Sequence, residues 1–293
     1  MDLPSALQKL STFRARNTRA SQETFDKGLV VLKGNGLKKL GDESWSFLEQ
    51  LALAAIDVGR LDIADRCLQL LTDKFPGSPR LDCLHGIRKE VTESPAAVLL
   101  YYGKLLQADP VNVALWKRKI SVLRRIGRID EAVAELIELL DTFYTDVEGW
   151  LELVDMYCSV HQYISSLQSL SHVLLLAPQN PFHVLRFAET AYTAGDIPLA
   201  MKSFLNVIDM ADADEDAPAE QVPSGFTIRA WFGIKQCACR LQRERITSPS
   251  QTAVPEHVQL FDELATERLK TVYAGRDKSD KEATEVLEWL ARV

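Results

Sequence analysis

The sequence predicts an all-α fold in which helical hairpins stack into a solenoid with capping helices at both ends. Three observations carry this reading. Leu, Ala, Glu and Asp dominate a chain of 293 residues that holds only 14 Gly and 12 Pro, a balance that favours helices over the frequent turns of a β-sandwich. Landmark residues recur at intervals of 34 or its double. No motif of an enzyme site interrupts the pattern: there is no phosphate-binding Gly loop, no G-x-S-x-G and no H-E-x-x-H.

Pro76, Pro110 and Pro178 are separated by 34 and 68, and Trp116 and Trp150 by 34. Gly59, Gly127 and Gly195 are spaced by 68, and Ala64, Ala132 and Ala200 follow them by five residues. A 34-residue period is the length of a tetratricopeptide helix–turn–helix unit, so the expected architecture is a right-handed superhelical solenoid. Each position has a physical task. The Trp rings fill the gap between the two helices of a hairpin, and the Ala residues sit where the second helix approaches the first. The Gly residues end first helices in the left-handed cap conformation, and the prolines close one unit and open the next. Gly86, Tyr157, Phe232 and Gly233 complete the expected framework.

Taken in order, residues 1–44 read as N-terminal capping helices, with Leu7, Leu10 and Phe13 on one stripe and Phe25, Leu29 and Leu32 on another. Five helix pairs follow over 45–214, in units 45–78, 79–112, 113–146, 147–180 and 181–214. Val98 and Ser166 replace the small Ala, and Ile120 and Val154 crowd the first-helix contact, so the second and fourth units are degenerate. Residues 209–225 read as an acidic, mobile connector, since Asp209 to Glu220 holds six acidic residues and no basic one. Residues 226–293 read as a degenerate sixth repeat, with Phe232-Gly233 as its close-packing pair, followed by capping helices at 256–274 and 279–292.

Charge and composition narrow the function. A net charge of −7 and a pI near 5.4 argue against nucleic acid, whose phosphates call for a surplus of Lys and Arg. Cysteines 67, 83, 158, 237 and 239 are scattered and read as reduced core residues, with no metal or cofactor site among them. The five His, at 85, 161, 172, 183 and 257, are dispersed, and no catalytic residue is assigned. No apolar run approaches the roughly 18 residues that cross a bilayer. The Arg- and Ser-rich first 21 residues fit a structural helix better than a presequence. The absence of an Asn-x-Ser/Thr sequon fits a protein outside the secretory lumen.

What remains is protein binding. A basic clamp for an acidic C-terminus would want Lys and Asn where the first repeat has Glu49 and Leu53. One basic cluster stands out, Lys117, Arg118, Lys119, Arg124, Arg125 and Arg128, within one helix and its turn; it is either a solvated face or a docking patch for an acidic segment or anionic headgroups.

Several strings carry a more specific likeness: Asn17-Thr18-Arg19-Ala20-Ser21, Ala54-Ala55-Ile56-Asp57-Val58-Gly59-Arg60, Cys67-Leu68 and Phe75-Pro76-Gly77-Ser78. Asp109-Pro110-Val111-Asn112, Lys117-Arg118-Lys119-Ile120, Arg229-Ala230-Trp231-Phe232-Gly233 and Tyr273-Ala274-Gly275-Arg276 follow in order. Together they resemble subunit 2 of the ER membrane protein complex over nearly the whole chain, with 209–220 and 246–256 matching poorly. The resemblance implies a non-catalytic scaffold in a hetero-oligomer, peripheral on the cytosolic face of the endoplasmic reticulum membrane and bound to cytosolic parts of the other subunits. It also implies an assembly that inserts transmembrane segments of tail-anchored and multipass clients. Two alternatives stand beside it: a free co-chaperone or adaptor reading short peptides, and the helical-repeat subunit of a prenyltransferase, disfavoured by its differently spaced Trp and Arg signature.

Overall fold

In the computed structural model the described residues are 3–33, 36–211, 222–243, 250–274 and 281–292, without the side chains of 38 and 39. They form helices and turns, with no strand among them. The chain divides into two compact units, Met1–Leu139 and Leu140–Val293.

The first unit holds α1 (Leu3–Ala15), α2 (Ser21–Lys33), α3 (Leu37–Leu40), α4 (Glu43–Asp57), α5 (Leu61–Lys74), α6 (Pro79–Thr92), α7 (Pro95–Ala108), α8 (Val113–Arg125) and most of α9 (Ile129–Thr142). The N-terminal stretch breaks between α1 and α2 at residues 16–20, where Asn17 turns the chain with a φ of +48°. Asn tolerates that left-handed conformation better than most side chains. The break lets α1 and α2 fold onto α4, so that Ala6, Leu10, Phe25 and Val31 share a core with Phe47, Leu48 and Leu51. Helices α5 and α9 show why the hairpins form. Ala64, Cys67, Leu68 and Leu71 in one, and Ala132, Leu136, Leu139 and Leu140 in the other, are buried at spacings of three and four.

The second unit holds α10 (Val147–Ser159), α11 (Tyr163–Leu176), α12 (Pro181–Ala194), α13 (Ile197–Ala211), α14 (Phe226–Arg243), α15 (Val258–Ala274) and α16 (Lys281–Arg292). Residues 209–211, expected in the connector, extend α13, because Val207 and Ile208 are still buried against the core; residues 212–221 lie outside the described residues. Helices α12 to α16 share one core that includes Ala200, Phe204, Trp231, Ile234, Leu269 and Leu290. No described helix is long and apolar enough to cross a membrane.

The turns explain the period. Pro76, Pro110 and Pro178 lie in turns between hairpins, and Tyr144 takes the equivalent place in the turn before α10. A further comb with the same spacing escaped the sequence reading: the side chains of Asn112, Asp146 and Asn180 accept backbone N–H bonds from Leu115, Gly149 and Phe182 at 3.2, 3.2 and 3.0 Å. Each caps the N-terminus of a first helix, where four N–H groups lack partners.

Gly59, Gly127 and Gly195 adopt φ of +79°, +79° and +89° at the ends of first helices. Position 161, midway between the last two in the comb, holds His with a φ of +60°. An L residue there is strained by about 1–2 kcal/mol. His161→Gly is therefore expected to raise stability by about 0.5–1 kcal/mol, the greater freedom of Gly in the unfolded chain offsetting the rest. The check is the urea midpoint, which rises at an unchanged slope.

Two other glycines are required by close approach. A Cβ on Gly86 would lie 2.3 Å from the ring of Tyr102, which is fully buried, and one on Gly233 would lie 2.4 Å from Phe204. Phe232, beside it, extends the other way toward Tyr273 and Trp289, at centroid distances of 6.2 and 5.7 Å, and so ties α14 to α15 and α16.

Candidate functional site

The first helices of a repeat present one face away from their second helices, and residues at three, four or seven apart on that face line a common wall. In the first unit this produces a groove of about 570 Å³. Gln50, Leu53, Ala54 and Asp57 of α4 form one side, Ile87, Glu90 and Val91 of α6 the floor, and Arg118 and Arg125 of α8 the other side. The Asn17–Thr24 stretch closes the end, so the turn that breaks α1 from α2 also builds the site.

The groove's charges are satisfied within it. Glu90, with a side chain only 4% exposed, accepts from Arg118 Nε and Nη2 at 3.0 and 2.7 Å and from the Tyr102 hydroxyl at 2.7 Å. Arg125 Nη1 lies 3.4 Å from its other oxygen. Burial, and the carboxylate beside it, push the Tyr102 phenol up, so it stays protonated and donates. At the other end Asp57 takes two bonds from Arg19, at 3.1 and 2.8 Å, and one from the Ser21 hydroxyl at 2.5 Å. The Arg19 guanidinium, with help from Ser21, holds the Asp57 carboxyl below the usual carboxylate range. Between these polar ends, Leu53, Ile87 and Val91 offer an apolar strip.

The basic cluster singled out in the sequence is therefore not one face. Arg118 and Arg125 turn into the groove, whereas Lys119 binds Glu135 of α9 at 2.5 Å, beside the indole N–H of Trp116 at 2.9 Å from the same carboxylate. Arg128 pairs with Glu131 in the next helix, while Lys117 is half-buried and Arg124 exposed on α8. Helical rotation of 100° per residue scatters neighbours in sequence around the axis, and that divides the six cations.

The remaining framework residues occupy packing positions. Ala64, Ala132 and Ala200 are fully buried, as are Val98, Ile120, Val154 and Ser166. Trp150 is half-buried, stacked on His172 of α11 at 4.4 Å, with its N–H donated to the Tyr144 carbonyl at 2.9 Å; Tyr157 is half-buried on α10. The five cysteines are free thiols, and burial pushes Cys67 up to about 11 and Cys237 up to about 12, which leaves both unreactive. Among the described residues, no group of three His, Cys, Asp or Glu is placed to hold a metal ion.

Comparison with known proteins follows the same lines. Residues 64–206 match the family described as the EMC2 TPR-like repeat domain. The chain is 33% identical over 282 residues to ER membrane protein complex subunit 2-B of Xenopus laevis, covering 94% of this chain and 89% of the relative. Subunit 2-A of the same frog is 38% identical over 229 residues, 77% of this chain and 72% of its own length. The TPR repeat protein oca3 of Schizosaccharomyces pombe is 30% identical over 210 residues, 70% of each chain. Among solved structures, the C-terminal part of a TPR repeat-containing protein from Cytophaga hutchinsonii aligns with a TM-score of 0.57 and 14% identity over 92% of this chain and 98% of that one, a likeness of fold alone.

Proposed function

The chain belongs to the ER membrane protein complex subunit 2 family, and from that premise we propose that it is a non-catalytic scaffold subunit of that complex, peripheral on the cytosolic face of the endoplasmic reticulum membrane. Its groove receives a cytosolic segment of a membrane-embedded subunit, and the assembly it holds together inserts transmembrane segments of tail-anchored and multipass clients.

The observation that supports this best is the groove itself. Its walls come from three successive first helices, its charged groups are already paired, and the strip between them is apolar. Such a surface offers extended contact to a chain segment but no activated nucleophile or base.

The experiment is affinity purification of the tagged chain from detergent-solubilised membranes. Multipass subunits are expected to co-elute with the wild type. Val91→Glu, at an exposed residue of the groove floor, is expected to lower their recovery at least tenfold while the thermal midpoint stays within a degree or two. Co-elution of soluble chaperones alone would replace the scaffold by the free adaptor, and a catalytic partner subunit would point to the prenyltransferase reading.

A further inference from the structure

The second unit contains a stretch whose composition stands apart. From Met156 to Leu185 there is no Asp, Glu, Lys or Arg in thirty residues, although 26% of the chain is charged and a stretch of that length would hold about eight such residues. Helix α11 lies in its centre and is the one described helix without a charged side chain.

Burial does not account for this. The inward quarter of α11 is Ser166, Ser169, Leu170 and Val173, all buried. The outward quarter is Ile164, Gln168, Ser171 and Leu175, spaced four, three and four apart, and all four are exposed. Ile164 is 66% and Leu175 79% exposed, and the strip runs on through Leu176 to Phe182, 58% exposed on the following helix. Other helices of this unit place charges in solvent, such as Asp155 on α10 and Lys202 and Asp209 on α13.

We infer that the outward face of α11, continued through Leu176 and Phe182, is a docking surface for a second protein subunit of the complex, one that presents an uncharged and largely apolar face of its own. The inference rests on the scaffold reading above. Depletion of charge is the compositional mark of the core of a protein–protein interface, and an exposed apolar strip this free of charge is unusual on a monomer. An anionic leaflet would call for Lys and Arg, of which the face has none. A second copy would bring together two chains of net charge −7.

The test uses the full chain in its native membranes, with a photo-crosslinking residue at position 175 and, as a control, at 202. The expected result is a cross-link from 175 to one protein subunit of the complex and none from 202. Charging the face with Ile164→Glu and Leu175→Glu is expected to lower recovery of that subunit at least tenfold; Gln168→Glu, nearly isosteric at an exposed position, carries the test if the double variant misfolds. Full recovery with either folded variant overturns the inference, as does a cross-link to a second copy of the chain, or flotation of the purified chain with phosphatidylcholine vesicles that the variants abolish. If the wild-type chain recovers no membrane subunit, the scaffold reading has failed and this inference falls with it; if the wild type recovers them and the charged variants do too, this inference alone is wrong.

Discussion

Replacing Glu90 by alanine is expected to destabilise the first unit by about 3 kcal/mol, toward the lower end of the range for removing one partner of a buried ion pair. The carboxylate is 4% exposed and is the acceptor for Arg118, Arg125 and the Tyr102 hydroxyl, so it joins α6, α7 and α8 at one point. Without it the Tyr102 hydroxyl has lost its acceptor in a fully buried setting, and Arg118 keeps a charge that burial disfavours. The loss stays at the lower end because the Arg118 side chain retains 33% exposure and can reach water. Glu90→Gln keeps an acceptor oxygen for Tyr102 and is expected to cost less. Hydrogen exchange on the full chain gives the local answer: amides of α6 to α8 should lose protection in Glu90→Ala, while those of α12 and α13 keep theirs. A change under about 1 kcal/mol, or one spread evenly over both units, would show that the carboxylate does not hold these helices together.

Glu90 also shows where the sequence stops being readable. The 34-residue comb was legible because each landmark answers a local demand: a left-handed turn for Gly59, Gly127 and Gly195, a tight helix contact for Ala64, Ala132 and Ala200. Local demands leave a signature in one residue type at one place. The pairing of Arg118 with Glu90 spans 28 residues and two helices, and nothing in either side chain announces the other. For the same reason the basic run at 117–128 reads as one patch in the sequence, but in space Arg118 and Arg125 go to Glu90, Lys119 to Glu135 and Arg128 to Glu131. The groove was hidden because its end wall depends on the turn at Asn17, and the stripes of α1 and α2 carry no strong breaker between them. The neutral stretch from Met156 to Leu185 was visible in the sequence, but only the structure separates its buried quarter from its exposed one.

A second expected effect of similar size lies in the C-terminal part of the second unit. Lys235 sits on α14 with its side chain 4% exposed, and its ammonium lies 2.8 Å from Asp262 of α15, itself 19% exposed. Asp262→Ala leaves that ammonium buried without its carboxylate, and is expected to cost about 3–5 kcal/mol. Lys235→Met acts differently. It removes the more deeply buried charge, keeps the apolar stem, and leaves a carboxylate that still reaches water, so its cost is expected to be smaller. The decisive comparison is the pair taken together: in the Asp262→Ala background, Lys235→Met should restore most of the lost stability, because an apolar side chain of similar length tolerates the site that a lone ammonium does not. Denaturant titrations of the four proteins measure the coupling directly. If Lys235→Met deepens the loss instead, the ammonium has found other acceptors, and the ion pair is not what fastens α15 to α14.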